Sequence, residues 1–300
     1  MSPTRVAIGA DIGGTYTKVV AVTADGIVRS RARVETDGAS AERLLESVRS
    51  EITAAEQRVG QAPCVGVACP GLVRRGAVAV HWMKGRLEVL EGLEWQAALG
   101  RSAPVPVIND AHAALLGEMW LGAARGCRDV VLLTLGTGVG GAIVSDGRIL
   151  AGATGRAGHL GHIALQVPGP RDIVNTPGSL EDAIGNHNVH LRSQGRFAST
   201  EALLAAHAQG DAHASQVWQT SVRCLAAGLA SIINAVDPAR IVLGGGIAAR
   251  ASRALFDLLD DYMHEYEWRP TLDGVEIVPA SLGDEAGAIG AAWHAMERTA

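Results

Sequence analysis

Asp11, Gly13, Gly14 and Thr15 have the types and the spacing expected of a metal–phosphate site. An apolar run leads into the Asp11 carboxylate, and a second apolar run follows the glycines and the threonine. Glycines let main-chain N–H groups approach phosphate oxygens closely, and a carboxylate at a strand end suits a hydrated Mg²⁺ ion. Because Gly-Gly also suits a tight β connection, this stretch alone fits a phosphate loop and a plain hairpin equally well.

A second turn of the same composition lies at Gly136, Thr137 and Gly138, between the apolar runs 130–135 and 139–144. Each Gly/Thr turn is followed by a strand and then by an Asp-Gly pair, a strong hairpin signal. The sequence therefore predicts one plan twice, in two similar lobes whose Gly/Thr turns face each other around the phosphates of a nucleotide.

Asn109 and Asp110 follow the predicted strand 105–108 and open a helix that extends to about Ala124. Asp110 suits a helix N-cap and also suits a carboxylate presented to a cleft. The segment alone favours the cap, because Asp is common at that position.

Three glycines, Gly244, Gly245 and Gly246, separate the predicted strand 240–243 from a helix that extends to about His264. A helix N-terminus carries partial positive charge, so this junction suits a nucleotide. The simpler interpretation is a turn that needs positive φ, but such a turn alone does not account well for three consecutive glycines.

The other elements predict an α/β protein with mixed sheets. The order strand, strand, strand, helix, strand opens the chain, and a strand and a helix end it. The remaining predicted elements are strands within 5–34 and at 65–68, 148–150 and 275–278, and helices at 39–59, 199–208, 214–235 and from about 285 to 298.

The composition is that of a globular protein, with 48% hydrophobic and 19% charged residues among 300. The net charge of −5 argues against a nucleic-acid partner. Cys64, Cys69, Cys127 and Cys224 show no C-x-x-C spacing, which predicts a reduced, cytoplasmic chain with buried thiols. Neither a signal-peptide core nor a long apolar segment is visible, so no membrane partner is expected.

Taken in order, these motifs resemble those of the ROK family of sugar kinases, repressors and related proteins, built on the actin-like ATPase (ribonuclease H-like) fold. The resemblance implies two lobes around a central cleft, with residues 1–115 and the terminal helix 285–300 in one and residues 116–284 in the other. The matching pieces span the chain: Asp11-Ile12-Gly13-Gly14-Thr15, Pro70-Gly71, Asn109-Asp110, Leu135-Gly136-Thr137-Gly138-Val139-Gly140-Gly141, Gly158-His159-Leu160-Gly161-His162, Gly244-Gly245-Gly246 and Asp284-Glu285-Ala286-Gly287-Ala288-Ile289-Gly290-Ala291-Ala292.

The family implies transfer of the γ-phosphoryl group of ATP, with Mg²⁺, to a sugar hydroxyl, usually O6 of a hexose. Asp110 would accept the hydroxyl proton, and Asp11 would organise Mg²⁺ indirectly. Residues expected at the phosphates are Gly13, Gly14, Thr15, Gly136, Thr137 and Gly138. Residues expected near the adenosine are Gly244, Gly245 and Gly246. Positions that match sugar contacts are Pro70, Gly71, Asn109, Asp110, His162 and Glu181.

One departure from the family lies at His159. Sugar kinases of the family usually have Gly-Glu-x-Gly-His where this chain has Gly158-His159-Leu160-Gly161-His162. The missing Glu would accept hydrogen bonds from ring hydroxyls, whereas a histidine can also donate. His159 therefore either contacts the sugar, with altered preference, or turns away while a neighbour replaces the Glu.

A second departure concerns zinc. Many members carry a cysteine-rich stretch before the Leu-Glu that corresponds to Leu180-Glu181, but residues 164–179 contain no cysteine. His162 alone offers no thiolate set, so no structural zinc is expected. His187 and His190 are predicted to be surface histidines rather than metal ligands.

Plain glucokinase is the default within the family, while the His159 change counts against a standard glucose site and makes an amino- or acylaminohexose a rival. In length, lack of zinc cysteines and altered Glu, the chain most resembles the family members that phosphorylate kanosamine (3-amino-3-deoxyglucose) in antibiotic biosynthesis. N-acetylmannosamine is a further candidate. A repressor is disfavoured because only ten residues precede Asp11, which leaves no room for a helix-turn-helix, and because Asp110 is intact. A sugar-binding protein without catalysis would need Asp110 to be only a cap. The family also implies a homodimer, which the apolar segment 214–235 permits.

Overall fold

The computed structural model describes residues 5–60, 62, 64–84, 87–270 and 273–298. The strands are β1 (Val6–Ile12), β2 (Tyr16–Thr23), β3 (Val28–Glu35), β4 (Cys64–Cys69), β5 (Val107–Asn109), β6 (Val130–Leu135), β7 (Val139–Ser145), β8 (Arg148–Ile149), β9 (Arg240–Gly244) and β10 (Glu276–Pro279). The α-helices are α1 (Ala41–Val59), α2 (Trp95–Ala98), α3 (Asp110–Leu121), α4 (Leu180–Ile184), α5 (Val189–Arg192), α6 (Thr200–Ala208), α7 (Ala212–Val236), α8 (Gly245–Tyr266) and α9 (Ala286–Arg298).

The described residues form two five-stranded sheets of the same plan. The first has the order β3-β2-β1-β4-β5, and the second has the order β8-β7-β6-β9-β10. In the first, β1 pairs antiparallel with β2 and parallel with β4. In the second, β6 pairs antiparallel with β7 and parallel with β9. This confirms the predicted mixed sheets and the predicted repeat, in which a Gly/Thr turn links the antiparallel pair of each sheet.

The residues group into two compact units, described separately here. The first takes Met1–Gly126, Ile149–Ala157 and Ser281–Ala300, and the second takes Cys127–Arg148 and Gly158–Ala280. These boundaries differ from the predicted division into 1–115 with 285–300 and 116–284. A boundary at 115 would cut the continuous helix α3, which packs along α9 inside the first unit.

Helix α9 lies very close to β1, β4 and α3 because glycines occupy the contact points. A Cβ on Gly9 would come within 1.9 Å of a carbonyl oxygen of α9, and one on Gly66 within 2.2 Å. A Cβ on Gly290 would come within 1.7 Å of the carbonyl oxygen of Ala113. Gly290 of the Asp284–Ala292 motif, together with Gly9 and Gly66, therefore allows close helix packing in the first unit.

In the second unit, the predicted apolar helix α7 turns its hydrophobic face inward. Trp218, Leu225 and Leu229 are fully buried in a core cluster that also contains α8 and the inner strands. Core packing therefore accounts for the apolar face of α7, and homodimerisation remains a prediction.

Several element boundaries shift from their predicted positions for simple reasons. β5 begins at Val107 rather than 105, as Pro106 has no N–H to donate to a neighbouring strand. Helix α3 ends at Leu121, before a turn at 122–126. Cys64 and Cys69 are buried, while Cys127 and Cys224 are partly exposed, which confirms the buried-thiol prediction for half of them. Among the described residues, no helix is long and apolar enough to span a membrane.

Candidate functional site

The first unit gathers its predicted site residues at the carboxyl ends of the parallel strands β1, β4 and β5. Asp11 pairs with Ala68 across β1 and β4, and Cys69 pairs with Asn109 across β4 and β5. Asp110 follows directly as the first residue of α3. Because parallel strands end at one edge of a sheet, the sequence order brings both carboxylates to that edge.

Asn109, rather than Asp110, caps helix α3. Its side-chain oxygen accepts hydrogen bonds from the N–H groups of Ala111 at 3.0 Å and His112 at 3.2 Å. Its amide nitrogen donates to the carbonyl oxygen of Gly71 at 3.1 Å. The cap interpretation of Asp110 is therefore corrected, although Asp110 Oδ1 also accepts a hydrogen bond from the Ala111 N–H at 2.8 Å. Asn109 also fixes the Pro70-Gly71 turn, where Gly71 has φ of +98°.

The two carboxylates of the first unit share an electrostatic environment that opposes negative charge. Burial raises the pKa of Asp11 to about 7, with a further increase from the charge of Asp110. Burial also raises the pKa of Asp110, although hydrogen bonds from the Ala111 N–H and others oppose the increase. Burial, followed by the charges of Asp110 and Asp11, raises the pKa of the Cys69 thiol. This edge of the sheet therefore favours a cation.

The turn after Asp11 connects two antiparallel strands, which agrees with the hairpin interpretation of this stretch. The Gly13 N–H donates to the carbonyl oxygen of Tyr16 at 3.1 Å, and β1 and β2 form an antiparallel pair. Thr15 at the tip is exposed. A Cβ on Gly287 of α9 would lie 2.6 Å from Asp11 Oδ2, so this glycine leaves space beside the carboxylate. The carboxylate oxygens at this edge are hard ligands of the type that Mg²⁺ prefers.

In the second unit, the turn at Gly136–Gly138 is held by hydrogen bonds with Glu181 and His187. The N–H of Val139 donates to Glu181 Oε2 at 2.8 Å, and a Cβ on Gly138 would lie 2.2 Å from the same oxygen. His187 contacts the Thr137 carbonyl oxygen through its backbone N–H and through Nδ1, both at 2.9 Å. The structure thus places Glu181 against the glycine turn.

Gly244, Gly245 and Gly246 lie at the carboxyl end of β9, beside the end of β6. Thr134 of β6 pairs with Gly244, so this junction and the Gly136–Gly138 turn share one edge of the second sheet. Only Gly245 of the three has positive φ, +86°, and a Cβ there would lie 2.4 Å from the Leu135 carbonyl oxygen. Gly245 therefore meets both a conformational and a steric requirement.

The loop with His159 and His162 packs onto β7 through glycines. A Cβ on Gly161 would lie 2.1 Å from the Val139 carbonyl oxygen, and one on Gly141 would lie 2.5 Å from the Gly158 carbonyl oxygen. Val139 therefore contacts both this loop and, through its N–H, Glu181. His159 is half-buried at the start of the short 3₁₀ turn Leu160–His162.

His162 Nδ1 lies 2.8 Å from Asp172 Oδ2. Zinc does not fit here, because the loop 164–179 has no thiolates and this ring nitrogen faces a carboxylate. Among the described residues, no cluster of three or more potential metal ligands occurs. His187 is exposed, as predicted, and its ring lies between Thr137 and Asp182, with Nε2 2.9 Å from Asp182 Oδ1.

Some residues of these networks were not identified from the sequence. Glu118 is fully buried, and Asp172 and Asp182 are nearly so. No motif marks them, although an acidic residue inside the apolar α3 pattern was a weak signal at Glu118. The side-chain nitrogens of Lys18 and Arg33 each lie 3.6 Å from Asp284 Oδ2. Two of these charges also affect Asp11: Lys18 lowers its pKa and Asp284 raises it.

Comparison with known sequences shows close relatives over nearly the whole chain. The glucokinase of Halalkalibacterium halodurans is 30% identical, with 95% of this chain and 93% of that protein aligned. The N-acetylmannosamine kinase of Escherichia fergusonii is 30% identical, with 95% of this chain and 97% of that protein aligned.

Solved structures show the same similarity. The ROK hexokinase from Thermus thermophilus aligns with a TM-score of 0.87 at 30% identity, over 98% of this chain and 99% of that one. The ROK family glucokinase from Streptomyces griseus, in complex with glucose and AMPPNP, aligns with a TM-score of 0.79 at 25% identity, over 97% and 99%. The actin-like ATPase fold is therefore confirmed. The ROK family itself matches residues 7–298, and the chain belongs to this family.

Proposed function

We propose that this sugar kinase transfers the γ-phosphoryl group of ATP to the 6-hydroxyl of a glucose-like hexose. The observation that carries the proposal is the placement of Asp110, a carboxylate with raised pKa at the end of β5. Asn109 is the N-cap of α3, and the Asp110 carboxylate, whose Oδ1 accepts the Ala111 N–H at 2.8 Å, is the candidate for chemistry. Relatives that act on glucose and on N-acetylmannosamine support this class of substrate.

Asp110 would act as the general base. As the sugar oxygen forms its bond to the γ-phosphorus, the bond from that phosphorus to the oxygen of ADP breaks. The hydroxyl proton passes to Asp110. A raised pKa makes the carboxylate a stronger base than an ordinary aspartate, provided that the working pH keeps it ionised.

The charge of the phosphates would be met by residues of both Gly/Thr turns. Backbone N–H groups of Gly13, Gly14, Gly136 and Gly138, with the hydroxyls of Thr15 and Thr137, would contact phosphate oxygens. Asp11 would hold the hydrated Mg²⁺. When bound, this ion supplies positive charge that offsets the charge of the transferring group. Gly244, Gly245 and Gly246 would lie near the adenosine.

The sugar would contact Pro70, Gly71, Asn109, His162 and Glu181. Among hexoses, glucose is supported by the glucokinase relatives. The aminohexose kanosamine is supported by His159, which stands where a carboxylate is usual, and by the chain length and the absence of zinc cysteines in 164–179. N-acetylmannosamine is the third candidate.

A coupled ADP-release assay tests the proposal. Glucose, glucosamine, kanosamine, mannose, N-acetylmannosamine and fructose are compared at fixed ATP and Mg²⁺. We expect one of these sugars to give kcat/KM at least about tenfold above the others. The companion variant His159→Glu should change the ratios of kcat/KM among the sugars. A rate that no sugar increases would contradict the kinase proposal, and unchanged ratios would show that His159 does not contact the substrate.

A further inference from the structure

Asp172 is a buried carboxylate that organises the loop beside His162. Its side chain has no exposed surface, while that of His162 is 25% exposed. One oxygen, Oδ1, accepts hydrogen bonds from the N–H groups of Val174 at 2.9 Å and Thr176 at 2.8 Å. The other oxygen, Oδ2, lies 2.8 Å from His162 Nδ1. The carboxylate thus connects the loop backbone to a single imidazole ring.

The proton between Asp172 and His162 belongs on the imidazole. Backbone N–H groups can only donate, so both contacts to Oδ1 require an acceptor there. Burial raises the pKa of Asp172, but the hydrogen bonds from His162, Thr176 and Val174 outweigh it and hold the pKa below the ordinary value. A carboxylate that accepts two backbone N–H bonds is held in its ionised form, so Nδ1 of His162 is the donor to Oδ2.

We propose that Asp172 is a positioning residue that keeps the ring proton of His162 on Nδ1 and leaves Nε2 as a hydrogen-bond acceptor. The sugar group that faces His162 must then be a donor, either a hydroxyl or an amino group. A metal ion on Nδ1 would have the opposite effect, since the remaining ring proton would lie on Nε2 and make it a donor. The carboxylate therefore orders this loop without a metal, and it makes Nε2 of His162 an acceptor where a metal on Nδ1 would make it a donor. The substrate half of this inference rests on the proposed function.

The tautomer is tested directly by ¹⁵N NMR of the histidine rings in the full chain at pH 8, without sugar. The His162 signals are assigned by their loss in His162→Gln. We expect a neutral ring with the proton on Nδ1, and a changed pattern in Asp172→Asn. The exposed Asp257 of α8 provides the control variant Asp257→Asn, which should leave the pattern unchanged. A proton on Nε2, or a doubly protonated ring, would overturn the inference.

The donor requirement is tested with the best sugar and its deoxy and deoxyfluoro analogues at each ring position except C6. Fluorine accepts weakly but cannot donate. At the position that faces His162, we expect the deoxy and fluoro analogues to lose kcat/KM alike, by roughly tenfold or more, mainly through KM. In Asp172→Asn, the amide can donate to Nδ1 and move the proton to Nε2. The fluoro analogue should then recover relative to the deoxy analogue.

The two outcomes separate the inference from the proposed function. If every position tolerates fluorine while the deoxy sugars fail, Nε2 donates and the donor requirement is wrong. If no sugar is phosphorylated, the proposed function fails, while the NMR result still decides whether Asp172 sets the tautomer.

Discussion

The carboxylate of Glu118 accepts a hydrogen bond from the N–H of Leu282 at 2.8 Å, across 164 residues of sequence. The same carboxylate accepts bonds from the N–H and hydroxyl of Ser281 and from the N–H of Ala123. Glu118 thereby fastens the end of α3 to the turn that precedes α9. Glu118 therefore joins α3, which begins at Asp110, to α9, whose Gly287 lies beside Asp11.

Replacing Glu118 with Gln should destabilise the protein by about 2–4 kcal/mol, because an amide N–H₂ would face backbone donors in a buried site. The measurement is the thermal unfolding midpoint, with Glu46→Gln on the exposed face of α1 as the control. A midpoint equal to that of the control would show that Glu118 does not hold the two helices together.

Gly290→Ala should be similarly damaging, since the added methyl would lie 1.7 Å from the carbonyl oxygen of Ala113. The helices α3 and α9 would have to separate, at a cost of about 1–3 kcal/mol or more. Chemical unfolding measures this, with Ser231→Ala on the exposed side of α7 as the control. Wild-type stability in the variant would contradict the close packing of α3 and α9.

Asp11 should make stability depend on pH. Its pKa of about 7 in the folded chain exceeds its ordinary value of 3.8, so the folded state retains a proton that the unfolded state has lost. Stability from this group therefore falls as pH rises from about 4 to about 7. At pH 8 and without Mg²⁺, the free energy of unfolding of Asp11→Asn should exceed that of the wild type by about 1–3 kcal/mol. Its unfolding midpoint should therefore be higher.

At pH 5 the advantage of Asp11→Asn should be smaller than at pH 8, and it should vanish only below about pH 4, where Asp11 is protonated in the unfolded chain as well. Thermal unfolding at the two pH values supplies the test. Added Mg²⁺ and ATP should stabilise the wild type more than the variant. An advantage of equal size at both pH values would mean that ionisation of Asp11 does not lower the stability of the folded chain.

Zinc should be absent from the working protein. Chain purified from zinc-supplemented cells should carry well under one zinc ion per molecule by elemental analysis. A zinc chelator such as 1,10-phenanthroline should leave the unfolding midpoint and the Mg²⁺-dependent rate unchanged, because Asp172 already occupies the Nδ1 side of His162. Stoichiometric zinc, or unfolding on chelation, would contradict this assignment.

Sequence patterns predicted the strands, the repeated sheet plan and the strand-end position of Asp110, because these follow from local periodicity and from glycine and proline positions. They did not reveal Glu118 or Asp172 as anchors. Glu118 meets Ser281 across 163 residues, and such pairing is decided by tertiary packing. The cap was assigned to Asp110 instead of Asn109 because both residue types cap helices well. Because the two residues are adjacent, moving the cap by one position changes which side chain is left for catalysis.

The most direct measurement of the central claim is ³¹P NMR of the reaction of ATP, Mg²⁺ and the preferred sugar with wild type and Asp110→Asn. We predict that the wild type forms sugar 6-phosphate and ADP in equal amounts. Asp110→Asn, with an unfolding midpoint no lower than that of the wild type, should be slower by about 10²–10⁴-fold. Sugar phosphate formed by Asp110→Asn at near the wild-type rate would contradict the assignment of Asp110 as the base.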